Sequence, residues 1–221
     1  MINSFGIILT TVMGNERYYM IVNKGCTHQY VDMFNERCPN EKVYNYVRMC
    51  SPEERNILKK YSCREIYQDA WMGFKSYEKF CERYNNIRDI IWKALFAPRI
   101  QSPRTTWGFP KGRKKNNESM IETASREFLE EIGELPTDIL YTENTISEVY
   151  VGTDGKEYCN TYILCTVPYM YIWRKYKSSS TIPGREYRIS NEIREIKWIT
   201  LNNMIHYLPS NIRENLAKIV L

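Results

Sequence analysis

Three glutamates, Glu127, Glu130 and Glu131, stand at i, i+3 and i+4, the spacing that brings side chains onto one face of a helix. Like charges so placed repel, and a helix carrying them loses stability unless a cation answers them. Carboxylate oxygens suit a hard divalent ion, so Mg2+ or Mn2+ is the implied ligand. Ala124, Phe128 and Ile132 recur every fourth residue and can turn another face to a core. Gly133 supplies a helix stop, reinforced by Pro136. An acidic helix by itself is more often a solvated face than a metal site, so the flanking residues decide.

Five residues separate Gly112 from Glu118, and seven more separate Glu118 from Arg126-Glu127-Phe128-Leu129-Glu130-Glu131-Ile132-Gly133. This segment, 112–134, resembles the Nudix box of Nudix hydrolases at both glycines, the arginine and all four glutamates. It departs at Phe128, where a smaller aliphatic is usual, and at Glu134, where an aliphatic usually follows and Leu135 can serve instead. The resemblance implies an α/β chain, the Nudix α/β/α sandwich around a mixed sheet. It also implies that Glu127, Glu130 and Glu131 ligate the metal, while Arg126 pairs with Glu118 and holds loop and helix in register. The implied chemistry is hydrolysis of a phosphate anhydride. A metal on carboxylates polarises the bridging oxygens and acidifies a bound water, and a carboxylate of the site or of a later loop takes the proton.

The box leaves the substrate open. Trp107-Gly108-Phe109-Pro110-Lys111-Gly112-Arg113 resembles the entry to the box in the eukaryotic mRNA-decapping catalytic subunit, and Asn191-Glu192-Ile193-Arg194-Glu195-Ile196-Lys197-Trp198 resembles a later segment of the same enzymes. There a glutamate completes the metal site or acts as base, which makes Glu192 the candidate for that role. Helical material between the first strands and the box is similar to the arrangement in decapping Nudix proteins of large cytoplasmic DNA viruses. The implied activity is cleavage of the cap triphosphate bridge of capped RNA, giving 7-methyl-GDP and a 5′-monophosphate RNA in the cytoplasm, the host's if the chain is viral. Two alternatives stand beside it: hydrolysis of small substrates such as diphosphoinositol polyphosphates or nucleoside diphosphate derivatives, and a non-catalytic RNA-binding module. The presence of every charged box residue weighs against the last.

The charge distribution suits a polyanion. The net charge is only +5, but the stretch from Ile90 to Asn117 holds seven basic residues and no acidic one. Lys24, Lys111, Arg113, Lys114 and Lys115 are the candidate contacts for a polyphosphate or RNA backbone, and the 18 tyrosines and five tryptophans offer surfaces on which bases could stack. Tyr169 to Arg188 interleaves aromatics with cations, and no cap-stacking residue can be chosen from it. The two histidines, His28 and His206, are too few for a catalytic pair and read as structural.

The elements that must position these residues fall into three stretches. Residues 1–27 hold the first strands, with Phe5 to Val12 and Tyr18 to Val22 joined by turn residues at Met13-Gly14-Asn15-Glu16. Residues 28–100 read as a helical insertion of nearly balanced charge, with 13 Lys and Arg against 10 Asp and Glu. Ser51-Pro52-Glu53-Glu54 starts a helix whose stripe is Ile57, Leu58, Tyr61, Ile66 and Tyr67; Trp71-Met72-Gly73 breaks it, and Phe80, Tyr84, Ile87, Ile91 and Leu95 mark a second. Residues 101–221 return to the first fold, with strands over Ser147 to Gly152, Tyr158 to Val167 and Ile193 to Thr200, and a closing helix from Asn211. Seven cysteines without a C-x-x-C pair argue for a reducing compartment, and no apolar run reaches the length of a membrane span. A homodimer is possible if the insertion hides an apolar face against its copy.

Overall fold

β-branched and aromatic residues open the chain as an antiparallel hairpin, β1 (Ile2–Met13) and β2 (Glu16–Asn23), turned at Gly14 in the left-handed region. The computed structural model describes residues 1–69, 76–100, 106–151, 155–169, 193, 195–208 and 210–220. These divide into two compact units, Met1–Lys24 with Trp107–Leu221, and Gly25–Thr106.

The first unit is built on a seven-stranded mixed sheet. To the hairpin it adds β3 (Trp107–Gly108), β4 (Lys111–Arg113), β5 (Leu140–Val151), β6 (Glu157–Thr166) and β7 (Glu195–Thr200). One edge of β1 is shared: Ser4, Phe5 and Gly6 pair with β4, and Thr10 to Met13 pair with β2. The other edge runs parallel to β6 from Ile2 to Thr10. β5 begins at Leu140, well before the Ser147 expected from alternation, because a register shift between Tyr141 and Thr145 interrupts the period. The two-residue β3 and three-residue β4 are too short to leave any periodic signal.

Pleating sends alternate residues to opposite faces. On one face Ile7, Leu9, Met20, Val22, Ile163 and Cys165 pack on Ala124, Phe128 and Ile132 of helix α6 (Met120–Ile132). On the other, Ile8, Tyr19, Ile21, Tyr162 and Leu164 pack on Met204, on Leu208, and on Ile212 and Leu216 of α7 (Ser210–Val220). The sheet is thus covered by helices on both faces, the α/β/α arrangement.

The second unit holds helices α1 (His28–Asp32), α2 (Asn40–Met49), α3 (Pro52–Lys60), α4 (Cys63–Asp69) and α5 (Tyr77–Phe96). Its own core contains Phe34, Leu58, Phe80, Ile87 and Ile91. The capping box at Ser51 forms with Glu54, with Pro52 at the first helical position. The expected single helix through Tyr67 is instead two. Ser62 engages Glu65 through both its N–H and its hydroxyl, at 2.8 and 2.7 Å, and so founds a new N-terminus inside the apolar stripe. The expected break at Trp71-Met72-Gly73 lies outside the described residues, as do the Thr153-Asp154 turn and most of the Tyr169 to Arg188 stretch. Among the described residues no helix is long and apolar enough to cross a membrane.

Candidate active site

The loop from β4 to α6 and the first three turns of α6 hold most of the charged residues singled out above. Asn117 takes a left-handed conformation (φ 68°) that reverses the chain. Ser119 caps α6 in a second capping box with Glu122, and Gly133, at φ 89°, ends the helix in the left-handed region that only glycine adopts cheaply. Ala124 and Phe128 are fully buried and Ile132 nearly so, which fixes the rotation of α6 and turns its carboxylates to the loop.

Arg126 organises the charges. Its Nε and Nη2 donate to the two oxygens of Glu118 at 2.6 and 2.9 Å, a two-pronged pair. Its Nη1 donates to Glu127 at 2.6 Å and to Glu130 at 3.2 Å, and Nη2 also reaches the Arg113 carbonyl at 3.0 Å. One guanidinium thereby ties the loop to two of the three helix carboxylates. Glu118 further accepts from the Lys115 main-chain N–H at 2.9 Å and from Thr123 Oγ1 at 3.0 Å. The Arg126 guanidinium foremost, and then the Lys115 N–H, pull the Glu118 carboxyl down to about 2 from its usual 4.5. The same contacts hold Arg126 more firmly protonated than a free arginine.

The remaining carboxylate charge is met by lysines. Lys24, the residue after β2, donates to buried Glu131 at 2.7 Å, and Lys115 reaches half-exposed Glu130 at 3.3 Å. Two of the five expected substrate cations therefore lie on the box carboxylates. Lys111 and Arg113 lie on β4, and Lys114 follows them, exposed. Glu192 lies outside the described residues. Gly112 sits where its backbone lies against Glu127: a Cβ added there would collide with all three atoms of the carboxyl group. The sequence spacing brought out Glu118, Arg126, Glu127, Glu130 and Glu131 of this cluster; Lys24 and Lys115 stood out only as basic residues, and Thr123 and the Lys115 N–H carry no motif signal, though Thr123 could have been noticed as a hydroxyl one turn inside the helix.

Arg126, Lys24 and Lys115 engage the three carboxylates, and no preformed cluster of three metal-ligating side chains exists among the described residues. The donor set is nonetheless all oxygen and anionic, borne on one rigid helix, and the glycine at 112 leaves the Glu127 carboxylate room. That set fits a hard divalent cation and not a soft one.

The Nudix domain family matches residues 92–220, more than half of the chain, and the chain belongs to that family. Nudix hydrolases generally use divalent metal ions such as Mg2+ or Mn2+. No curated protein gives a significant sequence match. Among solved structures, a C. elegans Ap4A hydrolase in a binary complex is similar at 12% identity and a TM-score of 0.51, over 100% of this chain and 96% of that one. A Nudix hydrolase from M. smegmatis is similar at 10% identity and a TM-score of 0.44, over 98% of this chain and 83% of that one.

Proposed function

We propose that the chain is a metal-dependent mRNA-decapping hydrolase, which cleaves the triphosphate bridge of capped RNA, releases 7-methyl-GDP and leaves a 5′-monophosphate on the RNA. The observation that carries this reading is the run Trp107 to Arg113 at the entry to the box, where the chain resembles decapping enzymes over seven consecutive residues. Its support in the fold is that these residues include strands β3 and β4, hydrogen-bonded to β2 and β1, so Lys111 and Arg113 are carried on the sheet and not on a free loop.

In this reading Glu127, Glu130 and Glu131 hold Mg2+ or Mn2+, which when bound polarises the bridging phosphate oxygens and acidifies water. Lys24, Lys111, Arg113, Lys114 and Lys115 bring positive charge to the polyphosphate. Arg126 keeps Glu118 and the loop fixed against the helix, and a box carboxylate or Glu192 accepts the proton of the attacking water.

The test uses RNA labelled in its 7-methylguanosine cap, with Mg2+ or Mn2+, and compares the wild type with Glu131→Gln. Release of 7-methyl-GDP that is lost in the variant and with chelator is the expected result. Ap4A, the substrate in the name of the structural neighbour, joins two nucleosides through a polyphosphate as a cap does, so it belongs in the assay beside diphosphoinositol polyphosphates. Cleavage of these with capped RNA left intact overturns the decapping reading in favour of small substrates. Hydrolysis of none of them overturns the enzymatic reading.

A further inference from the structure

The strand register lines up one row of side chains across four strands. Arg113 on β4 pairs with Ser4 on β1, Ser4 with Asn160 on β6, and Asn160 with Glu148 on β5. Cross-strand partners share a face, so all four project from the same side of the sheet, opposite to the side on which Gly112 meets Glu127. Asn160 is 2% exposed. Its Nδ2 donates to Glu148 Oε2 at 3.3 Å, which fixes the amide, since the reverse orientation would set carbonyl against carboxylate. Its Oδ1, also buried, has no hydrogen-bond partner among the described residues. A buried acceptor left unmet is costly, and here it lies beside a half-buried carboxylate that can also only accept. One row over, Tyr150 and Tyr158 stack with ring centroids 5.4 Å apart and planes 8° from parallel.

Burial foremost holds the neighbouring Tyr162 hydroxyl well above its usual range, and Glu148, Tyr150 and Glu131 add to that effect. At about 4.8 Å per strand, Glu148 stands three strands, or about 14 Å, from the Arg113 backbone. A nucleoside with its first phosphates extends over a comparable length.

We propose that Glu148 and Asn160, with the Tyr150–Tyr158 stack, form the base subsite of this enzyme and select guanine. Guanine presents N1–H and the N2 amine side by side, donors that match two acceptor-only groups. Adenine offers a single amine beside a ring acceptor, which a carboxylate repels. The tyrosine rings supply a stacking surface, which strengthens for a 7-methylguanine because that base is positively charged. The inference rests on the decapping reading and assigns the part of the cap that this face would hold.

The test measures kcat/KM on two RNAs of identical body, one capped with 7-methylguanosine and one with adenosine, for the wild type and Glu148→Gln. In parallel, GDP and ADP are titrated against the metal-free proteins by calorimetry. The wild type should favour the guanosine cap and bind GDP more tightly. Glu148→Gln should lose about ten- to a hundredfold on the guanosine cap, the size of a lost hydrogen bond to a charged group, and change little on the adenosine cap; its GDP preference should vanish. An equal loss on both caps, or a wild type indifferent to guanine in both measurements, overturns the subsite. If neither RNA is cleaved while the GDP preference and its loss in Glu148→Gln persist, the decapping reading falls and the subsite stands.

Discussion

Replacing Arg126 by lysine keeps the charge and removes the geometry. The guanidinium makes five hydrogen bonds, four of them to Glu118, Glu127 and Glu130. An ammonium concentrates its donors at one point and cannot span Glu118 and Glu127 together, so at least one carboxylate of the helix is left facing another. Exposed ion pairs contribute about 0–1 kcal/mol and breaking a buried one costs about 3–5 kcal/mol. The Arg126 and Glu118 side chains are each 19% exposed, which discounts the buried figure and places the loss at about 2–3 kcal/mol. For a chain of this size that is a fall in Tm of about 4–12 °C. The pH dependence has a definite sign. The folded-state Glu118 carboxyl lies near 2, below its usual 4.5, so its contribution is complete above pH 4.5 and is lost as the pH falls through about 2. Thermal melts of wild type and Arg126→Lys by circular dichroism should therefore differ fully at pH 7 and converge between pH 4.5 and about 2. Coincident melts at pH 7, or a gap that grows on acidification, would refute the assignment of Arg126 as the tie between loop and helix.

Gly112→Ala should reduce turnover at least tenfold while leaving the melting temperature within a few degrees, because the added Cβ displaces only the carboxyl end of the flexible Glu127 side chain; steady-state kinetics beside a thermal melt separates the two effects. Phe128→Ala, by contrast, empties a fully buried site under α6 and should cost about 3–5 kcal/mol, read from urea denaturation.

How much could be read without coordinates depended on the kind of signal. Ala124, Phe128 and Ile132 announced the buried face of α6, and like charges at one-turn spacing announced that its other face needed cations. Those signals are local, and the structure keeps them. The two lysines on Glu130 and Glu131 were visible only as members of a basic cluster, because pairing across 107 residues from Lys24 to Glu131 leaves no mark in spacing. Strands β3 and β4 were hidden for a different reason, being shorter than any period. Ser62 shows a third case: Ile57, Leu58, Ile66 and Tyr67 of the expected stripe do pack on one core, but Tyr61 caps the end of the first helix and is exposed, and Ser62, which captures Glu65, starts another helix after it. The row from Arg113 to Glu148 was beyond sequence reading altogether, since it exists only through the register of four strands.

The placement of β1 between a late partner and early ones also governs how the molecule is made. Thr10 bonds to Cys165 across 155 residues, so one edge of β1 stays open until most of the chain has emerged from the ribosome. During that interval the hairpin presents an unsatisfied, largely apolar strand edge, the kind of surface that recruits other chains. The helical unit, with shorter-range contacts and a core of its own, can form in the meantime. Yield in the cell therefore depends on how fast residues after Glu157 arrive to close that edge, and slowed translation between β4 and β6 should raise aggregation without altering the stability of the finished fold.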